Sequence, residues 1–203
     1  MYISIYSEVR KKLVAFDAQC DLAAVVYGPG DDPDALFTAF AGDLCRSGRH
    51  VIGAIQVGRS CRSETPRLSA VVLPEGELVP LAEDARTCDA GCRLDAARLA
   101  GVATRLSDAM TRGSDLLIIN RFGRTEAEGS GLAGLIVRAL DADIPVLIAV
   151  PEYRFAALIK FSDGMNVRLA CRRDALDRWW RSLGEPAMRR QGGGARTFCE
   201  VAK

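Results

Sequence analysis

The chain has 203 residues, of which 49% are hydrophobic and 26% charged, and its formal net charge at pH 7 is +1. This length suits one domain with a proper core, and the composition is that of a soluble globular protein. The near-neutral charge argues against a dedicated nucleic-acid binder, and no apolar run reaches the roughly 18 residues of a membrane span. Residues 1–20 are too charged for a secretory signal, so we expect a cytoplasmic protein.

The predicted elements alternate between strands and helices. Continuous apolar runs, typical of strands covered on both faces, occur at Leu22–Tyr27, His50–Val57, Leu116–Asn120 and Ile144–Val150. Segments with helical periodicity separate these runs, and an edge strand and a last helix are expected at Met165–Ala170 and Asp174–Leu183. This order predicts a three-layer α/β fold with a mainly parallel sheet.

The domain organisation follows from the same pattern. We expect residues 1–20 to form an N-terminal extension, residues 21–184 a single α/β domain, and residues 185–203 a mobile, glycine-rich tail. Within the domain, residues 62–91 are expected to insert a small β-hairpin on the main sheet, because Pro74–Glu77 separates two short apolar runs.

Two of the predicted strands lead into glycine-containing turns. Gly28–Ala35 follows the first strand and precedes an amphipathic helix, and Arg121–Gly131 follows the strand Leu116–Asn120. Strand, glycine-containing turn and helix is the layout of a phosphate-binding loop. Since ligands of parallel sheets bind beyond the carboxyl ends of the strands, the two turns are expected to share one site.

Two families carry features of these turns. Gly91–Asp95 and Asn120–Gly131 resemble the motifs G-C-R-L-D and N-K/R-F-G-K/R-x-E-A-E-G-x-G of an uncharacterised bacterial domain family, over residues 21 to 161. Genes of that family often lie near molybdenum-transport or nitrogenase genes. Gly123 and Glu126 give a more distant similarity to small P-loop nucleoside-triphosphatases, whose second acidic motif is D-E-x-G-x-x-E. These resemblances imply a P-loop NTPase-like fold and a role in molybdenum metabolism.

The residues that carry nucleotide chemistry in a P-loop are replaced. Against G-x-x-x-x-G-K-S/T, the chain has Pro33, Asp34 and Ala35 in place of the final glycine, the lysine and the hydroxyl residue. Asn120 and Arg121 replace the acids that hold magnesium and orient the attacking water. Asp34 would place a carboxylate where a phosphate binds in a P-loop. Two like charges about 4 Å apart repel by about 4 kcal/mol at an effective dielectric of 20. We therefore expect no ATP hydrolysis by the usual mechanism, although the sequence leaves other enzyme activity open.

Positive charge remains at the strand ends. Arg121 and Arg124 flank Gly123, Arg93 would approach from the segment before another helix, and a helix expected to start near Gly129 would add its positive terminus. The planar guanidinium groups of arginine suit tetrahedral oxyanions. The molybdenum-transport and nitrogenase genes near those of the family imply that this oxyanion is molybdate or tungstate. The predicted ligand-binding residues are Gly28, Gly30, Asp31, Asp34, Arg93, Asn120, Arg121, Gly123, Arg124, Glu126 and Glu128.

A competing interpretation gives the arginines internal partners. Arg121 or Arg124 would pair with a carboxylate of a neighbouring strand end, and such a pair needs no ligand. The candidate carboxylates are Asp31, Asp34, Glu126 and Glu128.

Three functions stay open from the sequence. The first is a non-hydrolysing binding protein for a molybdate-like oxyanion or a nucleotide in molybdenum or related metallocofactor metabolism. The second is a divergent nucleoside-triphosphatase or transferase that uses Glu126 and Glu128. The third is a regulatory, partner-binding module without a small ligand. The sequence identifies no cofactor, and the expected partners include neither nucleic acid nor membrane.

The seven cysteines are scattered and odd in number, which argues against a disulfide framework. Cys88 and Cys92 are weak metal candidates, as a half-site that a homodimer would complete. A reactive thiolate beside Arg93 and a purely structural loop are the alternatives. Cys45 falls on the first predicted helix, where we expect a small buried side chain.

Overall fold

The computed structural model describes residues 20–57, 68–81 and 95–184 of the chain. Residues 1–19 of the predicted N-terminal extension, the predicted tail, Cys88, Cys92 and Arg93 lie outside the described residues. Both flanks of the predicted hairpin insertion also lie outside them. No helix within the described ranges is long and apolar enough to cross a membrane.

A seven-stranded sheet forms the centre of the fold, with the spatial order β4-β3-β2-β5-β6-β1-β7. The strands are β1 (Leu22–Tyr27), β2 (Val51–Val57), β3 (Ser69–Leu73), β4 (Glu77–Pro80), β5 (Leu116–Asn120), β6 (Val146–Pro151) and β7 (Val167–Ala170). All neighbours are parallel except in the β2–β3 and β3–β4 pairs, which add the predicted hairpin to one edge. The predicted mainly parallel sheet with a β-hairpin is confirmed.

The three central strands that lead to the predicted site are neighbours. β6 lies between β1 and β5, with Tyr27 paired to Pro151 and Asn120 paired to Ala149. The carboxyl ends of β1, β5 and β6 therefore meet at one edge of the sheet, as the sequence predicted. All residues of β5 and β6 are buried, which explains why both strands are continuous apolar runs.

Helices cover both faces of the sheet. They are α1 (Pro33–Arg46), α2 (Ala96–Thr111), α3 (Arg124–Ala127), α4 (Ala133–Asp141), α5 (Phe155–Phe161) and α6 (Arg173–Ser182). Helices α2, α4 and α5 pack on one face, whereas α1 and α6 pack on the other. In β1, Ala24 and Val26 pack toward α2, α4 and α5, whereas Ala23 and Val25 pack toward α1 and α6. Successive strand residues point to opposite faces of the sheet, which explains this alternation. The fold is thus a three-layer α/β fold of the P-loop NTPase-like type.

Two local predictions were wrong. The helix expected near Gly129 begins at Ala133 instead, because Gly129 and Gly131 adopt positive φ values of 78° and 60° that interrupt the helix. Cys45 is exposed rather than buried. It directly follows Leu44, which closes the buried stripe of α1, and one step along a helix turns the side chain by about 100° away from that stripe.

Candidate functional site

The loop after β1 satisfies its backbone donors with its own carboxylates. Gly28 N donates to Asp31 Oδ2 at 2.8 Å, and Asp31 N donates to Gly28 O at 3.2 Å. Asp32 caps α1 by accepting a hydrogen bond from Ala35 N at 3.0 Å. In a working phosphate-binding loop these donors face the ligand. Here carboxylate oxygens of the chain occupy at least two of them.

Asp34 connects the first turn of α1 to the end of β5. Its Oδ1 accepts a hydrogen bond from Asn120 Nδ2 at 2.7 Å, and its Oδ2 lies 3.1 Å from Arg121 Nη2. The side chains of Asp34 and Arg121 are 25% and 34% exposed, so the pair is only partly screened by water. Asp34 therefore contacts both Asn120 and Arg121 directly.

Tyr27 and Cys171 border this network, and the sequence analysis missed both. The Arg121 guanidinium lies over the Tyr27 ring, 5.5 Å from its centroid, in a cation–π arrangement. Burial is the main cause of the raised pKa of the Tyr27 hydroxyl, and the nearby Arg121 opposes it. Burial, reinforced by Asp31, Asp32 and Asp34, raises the pKa of the Cys171 thiol to about 11. In the sequence, the position of Tyr27 directly before Gly28 was the feature that could have identified it as a site residue.

Arg124 does not join the network. Its Nε donates to Glu128 Oε1 at 2.7 Å, one turn along the chain, and its side chain is 80% exposed. The pair raises the pKa of the Arg124 guanidinium through the hydrogen bond to Glu128. Arg121 and Arg124 thus each have a carboxylate partner, as the competing interpretation described.

Glu126 is buried, with only 4% of its surface exposed, and it organises the turn. Its Oε2 accepts hydrogen bonds from Gly123 N at 2.8 Å and Thr125 Oγ1 at 3.1 Å, and its Oε1 accepts one from Leu132 N at 3.1 Å. A Cβ atom at Gly123 or Gly131 would collide with this carboxylate. The spacing of glycine and glutamate in Asn120–Gly131 therefore fits a loop built around one buried carboxylate.

The remaining predicted site residues are placed as follows. Gly30 is exposed at the tip of the loop after β1, and nothing lies within 4 Å of the Cβ position there. Arg93, Cys88 and Cys92 lie outside the described residues, so their positions relative to the network are untested. No group of three or more histidine, cysteine or acidic side chains that could hold a metal ion occurs in the described part of the chain.

Comparison with known proteins gives a family and one long relative. A family described as "Protein of unknown function (DUF2478)" matches residues 22–179. The chain is 37% identical over 164 residues to the Molybdenum import ATP-binding protein ModC 2 of Bradyrhizobium diazoefficiens, a match that covers 79% of this chain but 18% of the relative. No solved structure matches significantly. Because the family match covers most of the domain, the chain belongs to the DUF2478 family.

Proposed function

We propose that the protein is a non-hydrolysing, P-loop-like binding protein that handles a molybdate-like oxyanion or a nucleotide in molybdenum or related metallocofactor metabolism. The observation that carries the non-hydrolysing part is the contact of Asp34 with Asn120 and Arg121. Phosphoryl transfer needs a cation on the transferred phosphate, a metal ligand and a group that orients the nucleophile. At these positions the chain has a carboxylate, an amide and a guanidinium.

The similarity to a molybdenum import ATP-binding protein supports the metabolic setting. The chain spans less than a fifth of that relative's length, so the relative's name describes a much larger protein. We assign to this chain only a part in the same process. The ligand would sit at the carboxyl ends of β1 and β5, where Arg121 is the partly exposed cation and the loop from Gly28 to Asp34 forms the opposite wall.

Glu126 is the best candidate general base for a divergent nucleoside-triphosphatase or transferase, but its contacts do not favour that role. Glu126 uses both carboxylate oxygens to accept hydrogen bonds from the turn and is almost fully buried. A general base needs a free oxygen within hydrogen-bond reach of the proton it removes. Glu128 is exposed, but it pairs with Arg124.

A partner-binding module without a small ligand is the second candidate function. It is favoured by the internal partners of both arginines. It is also favoured by the relative, in which the homologous segment is one part of a longer ATP-binding protein. In this case the P-loop-like fold would serve as a scaffold, and its strand-end network would stabilise the fold.

Two assays on the purified protein test the proposal. Phosphate release from ATP or GTP with magnesium should stay at background, and activity that disappears in an Asn120→Ala variant would contradict this. A ligand present at 100 times its Kd stabilises a fold by about 2.7 kcal/mol, or roughly 5 °C or more in melting temperature for a domain of this size. Such a shift with molybdate or ATP is expected, whereas its absence for both would favour the partner-binding module.

A further inference from the structure

The Asp34 carboxylate has the chemistry of a bound anion. It accepts one hydrogen bond from an amide and pairs with a guanidinium, at the end of β5 and in the first turn of a 14-residue helix. An oxyanion ligand would seek these same donors, because charge-assisted hydrogen bonds from arginine and the positive helix terminus both favour negative charge. Asp34 thus stands where a small anion would otherwise bind.

Asp34 does not satisfy all of the polar atoms around it. Within the described residues, Asn120 Oδ1 and Arg121 Nε are buried atoms that have no hydrogen-bond partner. Asn120 is only 6% exposed, and its amide is directed at Asp34. Buried polar atoms are nearly always hydrogen-bonded, so these two partners of Asp34 retain one acceptor and one donor that a further polar group would satisfy.

We propose that Asn120, Arg121 and the loop after β1 form a binding site for a small tetrahedral oxyanion, and that Asp34 is a tethered anion that occupies this site in the free protein. The inference rests on the proposed function and deepens it by naming the group that competes with the ligand. An incoming oxyanion takes over the Nη2 contact and also reaches Arg121 Nε. A hydroxyl group or water carried with it donates to Asn120 Oδ1.

Asp34 is able to leave this position without unfolding the helix. The N-cap of α1 is Asp32, which holds the helix start through Ala35 N. Asp34 is a first-turn residue whose side chain is one-quarter exposed, so rotation toward water keeps its charge solvated. Binding in the wild type is weak, since the ligand must displace a carboxylate that is covalently held beside its partners.

The test compares oxyanion affinity in four forms of the full chain by isothermal titration calorimetry with sodium molybdate and inorganic phosphate. The forms are the wild type, Asp34→Asn, Asp34→Asn with Arg121→Ala, and Asp108→Asn. Asp108 is exposed on α2, so its variant controls for the same change in net charge. Asp34→Asn keeps an acceptor for Asn120, and Asp34→Ala serves as a second version if melting shows that the asparagine variant is poorly folded.

Asp34→Asn is expected to bind at least one of the two oxyanions about 10-fold or more tighter than the wild type, since charge-assisted contacts become available to the ligand. The Asp108→Asn variant should stay within twofold of the wild type, and adding Arg121→Ala should remove the gain. A gain confined to one oxyanion supports the site and identifies its preferred ligand.

The inference is overturned if Asp34→Asn binds no tighter than Asp108→Asn, or if the gain survives the loss of Arg121. Failure of the proposed function gives a different result. Wild-type protein that hydrolyses ATP, or that binds neither molybdate nor ATP at any concentration, contradicts the proposed function. A gain in Asp34→Asn would still establish the occluded site.

Discussion

Asp34 and Arg121 reverse the charges expected at a nucleotide site. A working P-loop places a lysine on the helix and acids at the end of the facing strand, whereas here the helix carries the carboxylate and the strand end the guanidinium. Asp34 Oδ2 and Arg121 Nη2 form an ion pair across this gap at 3.1 Å. Opposite charges at these two positions hold the first turn of α1 against the end of β5.

The clearest stability prediction for a single residue concerns Glu126. Replacing it with alanine leaves the Gly123 and Leu132 N–H groups without their acceptor, and hydrogen bonds to charged groups contribute about 1.5–3 kcal/mol each. We expect Glu126→Ala to lower the free energy of unfolding by about 3 kcal/mol or more, with a melting temperature roughly 5–10 °C lower. Urea denaturation and thermal melting measure both quantities.

Glu128→Ala is the matched control for this prediction. Glu128 lies two residues away, and its side chain pairs with the exposed Arg124, in a surface ion pair of the kind that contributes little to stability. Equal losses in the two variants would show that Glu126 does not organise the turn. A Glu126→Ala protein of wild-type stability would show the same.

At the scale of elements, the loop after β1 faces the end of β7. Burial raises the pKa of the Cys171 thiol, directly after β7, to about 11, and the carboxylates of Asp31, Asp32 and Asp34 reinforce this effect. A raised thiol pKa means that the neutral form persists to higher pH. At pH 8 only about one Cys171 side chain in a thousand is the reactive thiolate.

Alkylation kinetics therefore report on this arrangement. At pH 8 iodoacetamide should modify Cys171 far more slowly than the exposed Cys45, and the rate at Cys171 should rise about 10-fold per pH unit until the pH approaches 11. Mass spectrometry of the digested protein follows each cysteine separately. A Cys171 rate that matches that of Cys45, or that levels off below pH 9, would contradict the burial of this thiol beside Asp31, Asp32 and Asp34.

At the scale of the whole molecule, the sequence predicts the sheet better than the site. The parallel strands β1, β5 and β6 were predictable because strands covered on both faces need continuous apolar runs. The helical segments between them predicted parallel neighbours whose carboxyl ends share one edge of the sheet. The alternating burial of β7 at the sheet edge was likewise visible as a short strand before the last helix.

The pairing within the site was not predictable from the sequence. The chain offers four carboxylates near Arg121 and Arg124, and the choice between them depends on distances of a few ångströms. The late start of α4 was not predictable either, since it depends on the positive φ values of Gly129 and Gly131, which hydrophobic periodicity does not reveal. Periodicity describes which face a residue occupies, but it does not give the partner of an individual side chain.

A double-mutant cycle between Asp34 and Arg121 measures directly whether the side chains at the start of α1 and after the end of β5 bind each other. The free energies of unfolding of the wild type, Asp34→Ala, Arg121→Ala and the double variant give the coupling energy of the pair. Contacting, partly exposed charges should couple by about 1 kcal/mol, within the usual range of about 0.5–3 kcal/mol. A coupling energy below about 0.3 kcal/mol would mean that the two side chains do not pair in solution. This result would contradict the occupation of the site by Asp34.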